Sequence, residues 1–483
     1  MAMVPDALPL AVVLIVPAAA IPVLAVMSNY RLSAALNILA CGLTFAASLT
    51  LPFIPRFRSD LIIVDDFNIF FLVLTTFVGF TTSIYSASYI GHELETGRLT
   101  PVLLRFYHAM YQAMLGAMNL ALVSNNVGLM WVGVEVATLS TVMMVGTYRT
   151  PEAIEAAWKY FILGTVGIGL AFFGTILIYL VAANALGGGL PAMAWDLIVQ
   201  HAAEFDPSLL SLAFVFLLVG YGTKVGLAPF HAWLPDAHSE GPTPISAVLS
   251  GLLLNVGLYA LLRFKMVLAG NPHAINVGVI MVVVGLASLM FAAFMLFRRR
   301  DIKRLFAYSS IEHMGIATVA FGLGGPLANF AGLLHMSMHS LTKSAIFFAV
   351  GHIAQAKHTQ RIADINGLSV THPVLALGFV LGVIAIAGLP PFGVFMSEFL
   401  LVSSAIARQP VLTLILVIGL LVAFAALLLR VHGIVFGKPT GPSDPVKASY
   451  IPLFVHLLLV FIAGLWLPEA VVGWFHGVAK LLG

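Results

Sequence analysis

The chain has 483 residues, 60% of them hydrophobic and only 9% charged, with 23 Lys and Arg against 20 Asp and Glu. A soluble globular domain carries roughly 25% charged residues, so this composition is that of an integral membrane protein. The single cysteine, Cys41, excludes a disulfide framework, a thiolate zinc site and an iron–sulfur cluster ligated by this chain alone. Neither a GxGxxG after a strand nor a GxxxxGKS/T loop is present, so nucleotide chemistry has no home and no nucleic-acid partner is expected.

A membrane span needs about 20 apolar residues, and the sequence predicts about fourteen of them in an all-α fold. In chain order they fall near 8–27, 32–54, 67–90, 107–124, 127–148, 157–183, 209–228, 243–266, 274–297, 305–323, 327–353, 374–389 continuing to 405, 411–436 and 450–474. The N-terminus lacks the positive region of a signal peptide, so 8–27 is expected to be a retained first helix. The links are short, and the longest, 184–208, carries Asp196, Glu204 and Asp206 without Lys or Arg.

Basic residues set the orientation. One set of loops collects Arg149, Arg298, Arg299, Arg300, Lys303, Arg304, Arg361, Lys447 and others, and the opposite set is poorer, with Arg56, Arg58, Arg263, Lys265, Arg408 and Lys480. This places both termini outside the cytoplasm, in the cytoplasmic membrane of a bacterium or archaeon.

Two spans are interrupted by nearly the same five residues, GLAPF at 226–230 and GLPPF at 388–392. Broken helices at matching places in two halves of a chain point to a transport pathway. The copies lie about five spans apart, an odd offset that would insert one upside down relative to the other. The expected organisation is 1–106 as three N-terminal helices, 107–266 and 274–436 as two inverted five-helix repeats, and 437–483 as a C-terminal transmembrane helix.

Ionisable residues inside these spans are costly and therefore rarely idle. Glu135 sits in the middle of its span and reads either as a hydrogen-bonded neutral carboxyl or as the partner of a buried lysine, with Lys224 and Lys159 as candidates. Lys224 immediately precedes the first break, where it either snorkels to the interface or loads and unloads a proton. His335, His339 and Lys343 are spaced by four and share one helical face, forming a stripe of groups suited to proton transfer. No HExxH is present and Lys343 would oppose a cation beside His335 and His339, so no metal and no cofactor are assigned. Glu398 follows the second break and reads as an interfacial carboxylate or as the terminal proton acceptor. His238 lies beside the first break as a further relay candidate. Glu312 and His313, adjacent in sequence, read as a local ion pair, Lys159 as a snorkelling residue at a helix start, and His352 and Asp236 as structural.

With these residues in view, the chain resembles the antiporter-like membrane subunits shared by respiratory complex I, the Mrp sodium/proton antiporters and group 4 membrane-bound hydrogenases. The motifs that carry the resemblance are Lys224 with PFHAWLPDAHSEGPTP (229–244), DIKRLFAYSS (301–310), the His335/His339/Lys343 stripe and GLPPF with Ser397 and Glu398. It covers roughly 105–435 and looks most like the hydrogenase-4 component F group.

The resemblance implies a fourteen-helix fold and a midplane proton path through Glu135, Lys224, His335, His339, Lys343 and Glu398. Partner membrane and peripheral subunits would do the redox chemistry, since this chain carries none. Many relatives have a lysine where this chain has Asn255, so the link from Lys224 to His339 is expected to use water or His238. The alternatives are an Mrp-type sodium/proton antiporter subunit and a non-pumping scaffold or quinone-site subunit.

Overall fold

The computed structural model describes residues 8–446 and 449–483; Lys447, one of the basic loop residues, lies outside them. Three helices open the chain, α1 (Leu8–Val26), α2 (Tyr30–Ser48) and α3 (Asp66–Glu95). In the link before α3, a hairpin of two residues per strand pairs β1 (Phe57–Arg58) with β2 (Ile63–Val64). That small sheet departs from the all-α expectation.

The next group comprises α4 (Pro101–Val123), α5 (Val127–Val145), α6 (Pro151–Leu186), α7 (Trp195–Gln200), α8 (Pro207–Val225), α9 (Leu234–Glu240), α10 (Thr243–Val248) and α11 (Leu254–Ala269). The chain continues with α12 (Val277–Leu296), α13 (Ile302–Leu323), α14 (Gly325–Lys357) and α15 (Leu368–Thr371). It ends with α16 (Pro373–Ile386), α17 (Gly393–Arg408), α18 (Pro410–Phe436), α19 (Ile451–Leu465) and α20 (Glu469–Leu481).

The starts of these helices are written locally. Thr100, Thr150 and Asp206 cap α4, α6 and α8 through their side-chain oxygens, each with a proline at the first helical position. A proline there loses nothing, because that N–H has no helical acceptor, and the cap contributes about 1 kcal/mol. Asp65 and Asn68 form a reciprocal capping box at the start of α3.

Among the described residues, nine helices are long and apolar enough to cross a membrane, or ten when α19 and α20 count as one bent span. Three more, α4, α13 and α14, have 23, 22 and 33 residues but carry polar side chains. Those polar groups turn inward. On α14 every residue from Ala328 to Ile353 is buried, with α3, α10, α13, α16, α17, α19 and α20 packed against it. The expected final span at 450–474 is two helices: α19 stops at Leu465, and α20 leaves it at 81°. Pro468 lies between them, and its missing N–H and its ring prevent the helix from continuing.

Both breaks have the form read from sequence. Gly226 ends α8 with φ 79° and Gly388 follows α16 with φ 67°, left-handed positions that favour glycine, and Pro229 and Pro391 are each preceded by a cis peptide. After the first break the chain makes a short turn into α9, and after the second it enters α17. Elsewhere small residues bring helices together. On α12 and α13, Gly285 faces Gly315 and Gly278 faces Gly322 so closely that a methyl group at any of the four would strike the backbone opposite.

Candidate functional site

The first broken helix carries Lys224 in its last turn, fully buried, with its Nζ 3.6 Å from Oε2 of Glu135 on α5. At that distance the two form an ion pair but not a good hydrogen bond. The lysine does not snorkel. Two glycines make room for it: a methyl at Gly164 on α6 would lie 3.2 Å from Nζ, and one at Gly257 on α11 would lie 3.1 Å from the lysine Cβ. Glu135 keeps 15% of its side chain exposed, so this end of the pair reaches the lateral surface of the subunit.

Lys159, the other candidate partner, is elsewhere. It is 48% exposed and pairs with Glu155 at 2.6 Å and Asp236 at 3.1 Å. Asp236 also takes an ion pair from Arg304 at 3.1 Å. This cluster ties α6, α9 and α13 together at the edge of the bundle.

Between Lys224 and the histidines lies a run of neutral polar groups. The passage from α10 to α11 is a single π-helical segment, Leu249–Leu253, a local widening often found at functional sites. Just beyond it, Nδ2 of Asn255 donates to Oγ of Ser340 on α14 at 2.6 Å, and Ser340 donates to the Gly251 carbonyl at 2.6 Å. Ser250 and Ser310 bond across to α13 at 2.7 Å. Asn255 thus reaches the helix of the histidine stripe directly. His238 is buried, stacks on Phe347 with ring centroids 4.8 Å apart, and has no hydrogen-bond partner on either ring nitrogen.

The stripe on α14 divides between two neighbours. Lys343 donates from Nζ to the Phe306 carbonyl at 2.9 Å and lies over the Phe306 ring. Glu312 on α13 is also buried. His339 packs beside His313, with ring centroids 5.5 Å apart. His313 Nδ1 is 3.1 Å from Nε2 of His335, whose Nδ1 is 3.0 Å from Oγ of Ser397 on α17. Glu398 is the next residue, with Oε1 3.9 Å from His313 Nδ1 and 12% of its side chain exposed. The carboxylate rests against Gly388 of the second break, where a methyl group would collide with it.

The expected Glu312–His313 ion pair does not form. Consecutive helical residues point in different directions, and here His313 turns to His335 and Glu398 while Glu312 lies on another side of α13. Sequence spacing has no way to show that His313 joins a residue on another helix. The roles of Ser397 and Ser340 are equally hidden, since serine is common in membrane helices. His352 stands apart from this group, packed edge-on to Tyr85 and Tyr450.

The result is one seam of polar groups through an apolar bundle, surfacing at Glu135 and at Glu398. The lysines, the histidines and both carboxylates can each hold or release a proton, and the serines and Asn255 between them can bind water or pass hydrogen bonds.

Comparison with known proteins gives this seam its setting. The chain is 60% identical over 472 residues to a hydrogenase-4 component F homolog of Methylacidiphilum infernorum (isolate V4), covering 98% of this chain and 99% of that one. Among solved structures, a chain of the membrane-bound sulfane sulfur reductase, an archaeal respiratory membrane complex, has the same fold with a TM-score of 0.87 at 20% identity, covering 98% and 97% of the two chains. A chain of the Mrp complex from Dietzia sp. DQ12-45-1b follows with a TM-score of 0.84 at 19% identity, covering 98% and 96%. The family model described as NADH:quinone oxidoreductase/Mrp antiporter, transmembrane, matches residues 124–423. The protein is therefore a multi-pass, antiporter-like membrane subunit and belongs to the NADH:quinone oxidoreductase/Mrp antiporter family.

Proposed function

We propose that this subunit translocates protons for a redox-driven membrane complex of the hydrogenase or NADH:quinone oxidoreductase type, along the seam from Glu135 to Glu398. The observation that carries the reading is the buried Lys224–Glu135 pair. The two are close enough for each to set the other's charge, yet Nζ has no hydrogen bond to hold it in place. A redox event in a partner subunit that changes the charge near Glu135 would free or trap the Lys224 proton. Asn255 and Ser340 would carry the disturbance to the histidines, and Lys343 would exchange its charge against Glu312.

In this reading the chain has fourteen spans, with α4, α13, α14 and the broken α16–α17 joining the more apolar ones. The matched glycine and proline geometry of the two breaks supports two inverted repeats, 107–266 and 274–436. The basic loops face the cytoplasm, and both termini lie on the opposite side. Other membrane subunits would cover the two lateral faces where Glu135 and Glu398 surface.

The test is translocation by the assembled complex in sealed vesicles. Lys224→Ala and Lys343→Ala should assemble normally and abolish most of the proton movement per turnover. Wild-type proton movement in both variants would leave the subunit a scaffold.

A further inference from the structure

His313, His335 and Glu398 come from three different helices, and each presents one ligand atom within 4.8 Å of the others. Donors bound to a tetrahedral metal at about 2.0–2.1 Å sit roughly 3.3 Å from one another. The separations of 3.1 Å between His313 Nδ1 and His335 Nε2, and 3.9 Å between His313 Nδ1 and Glu398 Oε1, bracket that value.

The protons are also arranged for it. The one hydroxyl proton of Ser397 goes to the Val394 carbonyl at 2.7 Å. Ser397 can then only accept from Nδ1–H of His335, which leaves Nε2 of His335 with its lone pair facing His313. Such a bond on the non-ligating nitrogen is what orients a metal-binding histidine. His313 Nε2 is buried without a partner. The proton that Nδ1 must give up can move there, and apart from the His313–His335 contact that the ion replaces, no bond is lost.

We propose that His313 Nδ1, His335 Nε2 and the Glu398 carboxylate form a binding site for a divalent transition-metal ion of the zinc type. Two imidazoles and a carboxylate suit that ion's preference for nitrogen and oxygen donors. The cation enters from the Glu398 side, the one ligand with appreciable exposure. Lys343, the cation that counted against metal at His335 and His339, is two turns along α14, with its ammonium turned to the Phe306 carbonyl.

A bound ion would take the lone pairs that the proton path uses and so arrest it. That consequence rests on the relay proposed above, whereas binding itself does not. The experiment equilibrates the intact complex with zinc chloride, removes the excess, and measures zinc per chain together with its X-ray absorption spectrum.

The wild-type complex and His352→Gln, which lies outside the cluster, should retain one equivalent more than Glu398→Gln and His335→Gln. The spectrum should show histidine coordination. Ser397→Ala keeps all three ligands but should weaken binding by about 10–100-fold. Equal zinc in all these complexes, or a wild-type spectrum without imidazole scattering, overturns the site; the second result needs no variant to fold. Zinc bound through two histidines while translocation continues upholds the site and removes His313 and His335 from the proton path. The same zinc with translocation arrested upholds both.

Discussion

Two buried ion pairs in this subunit are built in opposite ways. Arg263, on α11, donates from both terminal nitrogens to the two Asp65 oxygens at 2.7 and 3.0 Å and from Nε to the Tyr259 hydroxyl at 2.8 Å. Its guanidinium also lies against the rings of Trp195, Tyr259 and Phe67. All three guanidinium nitrogens donate and the planar group is clamped, so the pair fastens α11 to the start of α3.

Lys224 and Glu135 have none of this. They meet at 3.6 Å without a hydrogen bond on Nζ, in a chamber held open by glycines. Directed pairing makes an anchor. In the relay proposed above, a group that changes its charge is left underbonded, and the orphan nitrogens of His238, His313 and His339 share that feature.

The largest stability effect should come from breaking the anchor. Asp65→Asn leaves Arg263 charged and buried, and should destabilise the folded subunit by about 3–5 kcal/mol, read as thermal unfolding of the complex in detergent. Translocation per assembled complex should be unchanged; a specific translocation defect would erase the contrast between the pairs.

The same anchor has a pH signature. Burial pushes the Asp65 carboxyl up, but Arg263 beside it and the backbone N–H donors of Asn68 and Phe67 hold it below the usual carboxylate range. Its contribution is therefore complete above the ordinary carboxylate pKa of about 3.9 and fades as pH falls through the lowered folded value. Acid unfolding curves of the wild type and Asp65→Asn should converge at the acid end.

Glu135→Gln should show the reverse balance. An unpaired buried ammonium can lose its proton instead of remaining charged, so the stability loss should be smaller than for Asp65→Asn while most of the translocation disappears. Stability and translocation measured on one preparation decide it, and a variant that pumps normally would count against the underbonded pair as the working element.

Gly164→Ala is a finer probe. Within a helix this change favours folding by about 0.5–1 kcal/mol, but here the methyl presses on Nζ of Lys224. Stability should hold while translocation slows severalfold; an unchanged rate would mean that the chamber has room to spare. The smallest effect belongs to Lys159→Gln, whose half-exposed ion pairs should matter to neither measurement.

Much of this molecule is legible in its amino-acid sequence. The membrane class follows from composition, and the spans from runs of apolar residues with caps and prolines at their starts. The breaks follow from GLAPF and GLPPF, because a left-handed glycine followed by proline ends a helix wherever it occurs. That Glu135, Lys224, Lys343 and Glu398 stand out follows from the cost of placing an ionisable group among apolar neighbours. These are local facts, carried by a few consecutive residues and by the solvent the chain must enter.

What faces what was decided only in three dimensions. Glu135 meets Lys224 and not Lys159 because the long lysine side chain, in the last turn of α8, reaches past Gly164 of α6 to α5, while Lys159 lies at the rim near Asp236. His313 leaves its sequence neighbour Glu312 for His335, because successive side chains of α13 diverge around the helix and α14 passes on one side of it. Arg263 reads as one more loop cation until α3 brings Asp65 to it. The sequence determined which groups would be inside the membrane. Helix packing, through close-approach glycines and an α14 buried from Ala328 to Ile353, determined which of them meet.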